Sequence, residues 1–414
     1  MTTSPSAARV ANRLLTVDEA LERILARVAP LPARTLDLAD TLGGVLAEDV
    51  VADRDVPPFR NSAMDGYAVR GEDVSTAPVR LRVTGAVAAG GLPEGRLGPG
   101  EAVRIMTGAP MPEGADTVVR VEDTREAGSA VEITAATARG TSVRAAGEDV
   151  RSGSTVLATG RLLRPAEIGV LAALGRARVR VTAKPRVAVL STGDELVELD
   201  AALGPGRIRD ANRYSLGAAV RAAGCDPWPL GIARDTADDL RRALVRASEA
   251  DAIVTSGGVS VGDHDHVKPV VESMGTMDFW SIAIRPGRPL AFGELGPRRT
   301  PIFGLPGNPV SALLTFELFV RPALLRMAGR TSVHRPRARA VLVEDVEKPA
   351  GLRFFARGVH DPVLGTVRTT GPQGSGILTS MALANCLIDL PATADRAAAG
   401  SEVTVILTDL PEDH

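Results

Sequence analysis

The residues of this chain best suited to chemistry are acids that follow short apolar runs. Asp194 and Glu195 come after Val187–Leu190, Asp235 after Leu230–Ala233, and Asp263 and Asp265 after Ile253–Ser256. If these runs are parallel strands of one sheet, all five acids emerge at its carboxyl edge, where open α/β sheets bind ligands. A single acid after a strand often caps the next helix, but five on one edge are more than capping requires. Hard cations prefer carboxylate and water oxygens, so the cluster predicts a Mg²⁺ site. Asp251 begins its strand and is placed at the opposite edge.

Groups that could hold an anion accompany these acids. Gly257-Gly258-Val259-Ser260 offers backbone N–H donors and a hydroxyl, and glycine lets the backbone approach an oxyanion closely. Pro306-Gly307-Asn308-Pro309 precedes a long helix whose first amides favour negative charge. Arg285-Pro286-Gly287-Arg288-Pro289 carries two guanidiniums on a stiff loop, and arginine forks match phosphate geometry. A solvated turn is the plainer reading of that loop. Together these stretches predict an oxyanion held beside a divalent metal. His264 and His266 invite a zinc reading, but residues at i and i+2 diverge on a helix and no third soft ligand is near. A Walker loop is excluded, because no Gly-Lys-Ser/Thr occurs.

The elements that must position these groups follow from periodicity. Thr16-Val17-Asp18-Glu19 has the form of a capping box, and Val17, Ala20, Leu21, Ile24, Leu25 and Val28 then share a helical face. From about Arg54 to Gly147 short β-like runs alternate with Gly and Pro, which predicts a β-rich insert. Two loops there are chemically distinctive: Asn61-Ser62-Ala63-Met64-Asp65-Gly66-Tyr67-Ala68 and Met106-Thr107-Gly108-Ala109-Pro110. The simpler reading of the first is a tight turn at Asp65-Gly66. A helix from about Pro165 to Leu174 follows, with Pro at its start and Gly175 after its end.

From Arg186 strands and helices alternate. Helices are predicted at about Leu216–Ala223, Thr236–Ser248, Val267–Ser273 and Val310–Met327, and further strands at Ile282–Ile284 and Pro301–Leu305. This pattern means a three-layer α/β domain. After Pro336 the texture is β again. The fold class is therefore multidomain α/β plus β, with a parallel-rich central sheet. Its expected parts are a discontinuous N-terminal domain (14–53 and 148–183), an inserted β-rich domain (54–147), the α/β domain (184–331) and a C-terminal β domain (332–414).

Composition bounds the rest. A chain of 414 residues needs more than one core, and 44% apolar residues can fill them. Net charge is −2, so no global field recruits nucleic acid or a membrane. Lysine occurs only at 184, 268 and 348, so arginine must supply most local cations. Cys225 and Cys386 are too few for a disulfide framework or a thiolate zinc site. Met1–Arg13 has no apolar signal region, and no apolar run reaches the ~20 residues of a membrane span, so a cytoplasmic location is expected.

Five ordered motifs carry a resemblance. They are Asn61 to Ala68, Arg104-Ile105-Met106-Thr107-Gly108-Ala109-Pro110, Ser191-Thr192-Gly193-Asp194-Glu195-Leu196, Ser256 to Gly262, and Gly304-Leu305-Pro306-Gly307-Asn308-Pro309-Val310-Ser311-Ala312. Over about Leu14 to Leu407 the chain resembles the MoeA family of molybdopterin molybdenumtransferases, which includes the E domain of gephyrin. The resemblance implies insertion of molybdenum from molybdate into adenylylated molybdopterin, with Mg²⁺-dependent release of AMP. It also implies a homodimer with a composite active site, formed by the β-rich domain of one subunit and the α/β domain of the other. Contact with molybdopterin adenylyltransferase and with recipient molybdoenzymes would accompany that role.

The family's functional positions fall here on Asp65, Thr107, Asp149, Glu195, Asp235, Asp265, Pro306, Pro309 and Ser375. The resemblance assigns Asp235 and Asp265 to Mg²⁺, Glu195 to proton transfer, and Asp65 and Thr107 to the pterin or the molybdate. Gly257, Gly258, Ser260, Arg285, Arg288 and Gly307 join Pro306, Pro309 and Ser375 as expected contacts to the bound substrate. Two departures stand out: Arg285 and Arg288 replace lysines common in the family, and Ser281 replaces a further lysine found in bacterial relatives. Two other functions were weighed. A molybdopterin adenylyltransferase usually lacks the flanking β domains, and a scaffold of the gephyrin type could dispense with the acids.

Overall fold

The computed structural model describes residues 14–257 and 267–409. The chain divides into two compact units, one of Thr35–Leu42 and Glu48–Val179, the other of Met1–Arg34, Gly43–Ala47 and Arg180–His414. The first helix, α1 (Val17–Leu25), opens with the predicted capping box: Thr16 accepts from the Glu19 N–H, and the Glu19 carboxylate accepts from the Thr16 N–H. The helix ends before Pro30 and Pro32, at Ala26, and buries Val17, Ala20, Leu21 and Ile24.

The smaller unit is built on a six-stranded sheet. Its strands are β1 (Gly66–Val69), β2 (Val79–Val87), β3 (Glu101–Ile105), β4 (Thr117–Arg120), β5 (Thr124–Ala127) and β6 (Ala130–Ile133), in the order β4-β1-β3-β2-β6-β5. Alternation along each strand feeds two cores. Tyr67, Val69, Val119 and Val131 pack on one face, and Ala68, Val103, Ile105 and Val118 on the other. Helix α2 (Pro165–Ala173) begins with Pro and is followed by Gly175, as its ends predicted.

The larger unit holds the three-layer domain. Its strands are β7 (Arg186–Thr192), β8 (Asp226–Ala233), β9 (Ala252–Ser256), β10 (Gly275–Ser281), β11 (Pro289–Leu295) and β12 (Thr300–Leu305), in the order β8-β7-β9-β12-β11-β10. The first four run parallel, and β11 is antiparallel to both of its neighbours. The sheet is covered by α1 together with α3 (Ala211–Ala222), α4 (Ala237–Ala247), α5 (Val267–Met274), α6 (Pro309–Thr315) and α7 (Arg321–Met327). On one face Val187, Val189, Val254 and Phe303 meet α1, α3, α6 and α7. On the other Ala188, Leu190, Ile253 and Ile302 meet α4 and α5. Strands buried on both faces are continuously apolar, which is why β7 and β9 read so clearly in the sequence.

Two expectations need correction here. Ile282–Ile284 is not a strand of this sheet: Ile284 and Arg285 pair with Arg353 and Phe354 of the terminal β region, and β10 with β11 forms an antiparallel hairpin instead. The run from Phe279 to Ile284 is apolar without a break apart from Ser281, so only pairing partners decide where the strand stops. The helix expected at Val310–Met327 is interrupted by a π turn at Phe316–Val320. Pro322 removes a backbone donor at that point, and a widened turn absorbs the loss.

The terminal strands β13 (Arg337–Leu342), β14 (Arg353–Asp361), β15 (Thr366–Thr369), β16 (Cys386–Leu390) and β17 (Glu402–Leu407) are ordered β14-β15-β13-β17-β16. Because β16 also pairs with β14, the ring closes into a barrel around Leu342, Phe354, Val367, Ile388 and Val405. Closure removes the exposed sheet edges.

Phe303 is fully buried and touches Phe292 at a ring-centroid distance of 5.1 Å. Phe303→Ala should destabilise the three-layer domain by about 3–5 kcal/mol through lost burial and a cavity. Trp228 lies in β8 and Trp280 in β10, so tryptophan fluorescence during urea unfolding reads this sheet alone.

Candidate active site

The carboxyl ends of β7, β9 and β12 surround a cavity of about 600 Å³. Thr192 and Ser256 are the last residues of β7 and β9, and Gly257 and Pro306–Pro309 are the turns that follow β9 and β12. Glu195, Leu196, Ile208, Arg209, Asp210 and Asn212 line the side beyond β7, and Pro289 lines another wall. Gly257, Pro306, Gly307, Pro309 and Glu195, all named from the sequence, thus line one cavity.

Close backbone approach holds this floor together. Gly257 has φ +90° and donates its N–H to the Leu305 carbonyl at 3.1 Å. A Cβ there would lie 2.6 Å from the Thr192 carbonyl oxygen, so a side chain cannot be accommodated. Asn212 ties the turns across the cavity: its Nδ2 donates to Ser256 Oγ and to the Gly307 carbonyl, both at 2.7 Å. Gly193 plays a matching part beside Glu195. Its φ is +145°, which favours glycine, and the Glu195 carboxylate folds back to within 2.6 Å of the place an added Cβ would take.

Acids at this edge have divided roles. Asp210, 1% exposed, accepts from Ser191 Oγ at 2.8 Å and from the Arg213 N–H at 3.1 Å, and pairs with Arg213 Nε at 3.2 Å. It is the cap of α3. Asp235 is not the cap of α4, because Thr236 fills that position by accepting from the Asp239 N–H. The Asp235 N–H donates to Asp194 Oδ1 at 3.3 Å, which brings the loops after β7 and β8 together. Asp251 sits at the opposite edge as expected, where its carboxylate accepts from the Arg186 N–H at 2.9 Å.

Other expected residues lie elsewhere. Gly258, Ser260, Asp263 and Asp265, with His264 and His266, fall outside the described residues. Among the described residues no three His, Cys, Asp or Glu side chains are grouped to hold a metal ion. Arg285 and Arg288 are exposed and have no carboxylate partner among the described residues, and neither is among the residues that line the cavity. Ser375 comes from the barrel side, and its carbonyl accepts from the Val310 N–H, one residue past Pro309, at 3.1 Å. Thr192, Arg209, Asp210 and Asn212 were not singled out from the sequence. Asp210-Ala211-Asn212 is a readable cap before α3, but the helix was expected to start at Leu216, five residues too late.

In the smaller unit the two distinctive loops are stitched together. Thr107 donates its backbone N–H and its hydroxyl to Asp65 Oδ1, at 2.7 and 2.8 Å, and the Gly108 N–H donates to the Ser62 carbonyl at 2.8 Å. Both Thr107 donors favour the charged form and hold the exposed Asp65 carboxyl below its ordinary range. Asp149 stands apart. Its N–H donates to the Val56 carbonyl at 3.0 Å, and no hydrogen bond joins it to Asp65 or Thr107 among the described residues. Thr107→Val deletes one of the two donors, so NMR titration should show the Asp65 pKa moving up toward the usual carboxylate value, with the fold kept.

Comparison with known proteins reads on this geometry. Three family profiles match in order: the MoeA N-terminal region (domain I and II) over residues 15–175, a probable molybdopterin binding domain over 188–326, and the MoeA C-terminal region (domain IV) over 339–408. Molybdopterin molybdenumtransferase 2 of Mycobacterium tuberculosis is 42% identical over 382 residues, covering 90% of this chain and 94% of its own. The Haemophilus influenzae molybdopterin molybdenumtransferase is 38% identical over 400 residues, covering 95% and 98%. The crystal structure of a molybdopterin biosynthesis MoeA protein from Pyrococcus horikoshii superposes with a TM-score of 0.84 at 30% identity, covering 95% of this chain and 100% of that one. With these profiles and relatives matching most of its length, the chain belongs to the MoeA family of molybdopterin molybdenumtransferases, enzymes of molybdenum cofactor biosynthesis.

Proposed function

We propose that this enzyme inserts molybdenum from molybdate into the dithiolene of adenylylated molybdopterin and releases AMP in a Mg²⁺-dependent step. The observation that carries the proposal is the cavity at the carboxyl edge, where the Gly257 turn, the Pro306–Pro309 turn and Glu195 meet beside the joined Asp194 and Asp235 loops. Turns rich in glycine admit an anion, and the oxygen donors next to them suit a hard cation.

The residues take distinct parts in this reading. Asp235, with Asp194 3.3 Å from its N–H, and Asp265 would hold Mg²⁺, an all-oxygen donor set that suits that ion. Bound there, the ion would neutralise charge developing on the adenylate phosphate. Glu195, whose carboxylate lies over Gly193, moves a proton at the phosphate. Gly257, Gly258, Ser260, Pro306, Gly307 and Pro309 cradle the substrate, Ser375 closes its barrel side, and Arg285 and Arg288 draw anions toward it. The Asp65–Thr107 clamp presents a fixed carboxylate to the pterin or the molybdate, and Asp149 supplies a further carboxylate.

Asp65 and Thr107 belong to one compact unit and the cavity to the other, so the proposal includes a homodimer in which one subunit's clamp completes its partner's site. It also includes four domains with the boundaries given above, a cytoplasmic location, and hand-over of product to molybdoenzymes. The supporting test is AMP release from adenylylated molybdopterin, followed by chromatography with molybdate and Mg²⁺ added or withheld. Asp235→Asn, Asp265→Asn and Glu195→Gln should each lower turnover by about 10²-fold or more. Gly193→Ala should lower turnover too, because the new methyl displaces the Glu195 carboxylate. AMP release that ignores molybdate, or full activity in Asp235→Asn and Asp265→Asn, would refute the proposal.

A further inference from the structure

The segment between α7 and the barrel gathers more positive charge than the fold neutralises. Helix α7 ends in a Schellman turn: the Gly329 N–H donates to the Arg326 carbonyl and the Arg330 N–H to the Leu325 carbonyl, both at 2.9 Å. Gly329 has φ +84°, and a Cβ there would lie 2.3 Å from Thr182 Oγ1, so the turn that carries Arg330 is fixed in place. The chain then runs back along the helix. Arg321 Nη1 donates to the Val333 carbonyl at 3.5 Å, and Arg335 reaches Glu317 in the π turn.

Three guanidiniums meet there, and only one is well paired. Arg335 donates Nε and Nη2 to the two Glu317 carboxylate oxygens, at 3.0 and 2.9 Å, and the Asp409 charge favours it further. Arg321 gains little from the same carboxylate: its Nε is 3.9 Å from Glu317 Oε2, although its side chain is only 12% exposed. Burial, with the nearby Arg335 charge, pushes the Arg321 pKa down to about 10. Arg330 is partly buried too, and its charge also disfavours that of Arg321. Its side chain has no hydrogen-bond or carboxylate partner among the described residues.

The carbonyl end of α7 favours a cation and is the plainer account of Arg330. It does not account for Arg321, which is the first residue of α7. Two like charges withdrawn from water without a counterion between them cost free energy. One carboxylate would neutralise only one of them, whereas a dianion neutralises both. Guanidinium forks also match the oxygens of a tetrahedral oxyanion. Neither arginine lines the cavity at the carboxyl edge.

We propose that Arg321 and Arg330 form a separate site for a small tetrahedral dianion of the inorganic phosphate type, which pins the segment after α7 to the helix.

The test follows the melting temperature of the full chain while inorganic phosphate is titrated at mildly alkaline pH, with chloride holding the ionic strength constant. The unaltered protein, Arg330→Gln and Arg330→Lys are compared. Phosphate should raise the melting temperature of the unaltered protein, and the apparent affinity should fall about tenfold in Arg330→Gln. Lysine keeps the charge without the fork, so Arg330→Lys should lie between them. Without phosphate, Arg330→Gln should melt no lower than the unaltered protein, because it removes an uncompensated cation. Equal protection of Arg330→Gln overturns the assignment, since the anion then binds elsewhere or acts by general exclusion from the surface. A lower phosphate-free melting temperature in Arg330→Gln overturns it too, by assigning that arginine to the helix end. So does a melting temperature of the unaltered protein that phosphate leaves unmoved.

Discussion

The site depends on the register of three parallel strands. Ser191 of β7 is opposite Ser256 of β9, and Ser256 is opposite Leu305 of β12, so the three chains leave the sheet at one level. The described residues at and after their ends, Thr192, Glu195, Gly257 and Pro306–Pro309, therefore share one volume. That volume is polar because Thr192, Glu195, Asn212, Ser256 and Asn308 line it, while the strands beneath are apolar on both faces. Slipping any strand by one residue would exchange its two faces and bury the wrong side chains, so the packing of the core also sets the geometry of the cavity.

Within that frame, steric exclusion does more than electrostatics. Gly257 and Gly193 leave space that a methyl group would fill, and the Thr192 carbonyl and the Glu195 carboxylate occupy it. Asn212 then spans from α3 to two turns and ties the helix to both. Charges are sorted by pairing. Asp210 and Arg213 neutralise each other in a buried place, and Asp65 is held ionised by Thr107. Arg209, Arg285 and Arg288 stay without carboxylate partners among the described residues. An enzyme whose net charge is only −2 must attract anions by such local cations.

Much of this was legible in the chain itself. Apolar runs bounded by glycine and proline marked β7, β9 and β12, and the capping box marked α1. The position of an acid relative to its strand was enough to put Asp194, Glu195 and Asp235 at one edge and Asp251 at the other. Five motifs in order identified the family. These features are local, written in period, cap and turn chemistry, and local chemistry survives in a one-dimensional reading.

What the tertiary structure alone decided concerns partners. The hairpin of β10 and β11, and the transfer of Ile284 and Arg285 to the barrel side, depend on which backbone pairs with which. The clamp between Asp65 and Thr107 joins residues 42 positions apart. The Ser375 contact with Val310 and the orphaned Thr192 hydroxyl exist only because distant segments meet or fail to meet. A sequence records what each residue can donate or accept. Which of those capacities is spent inside the fold, and which is left over for a ligand, is settled only when the chain has closed on itself.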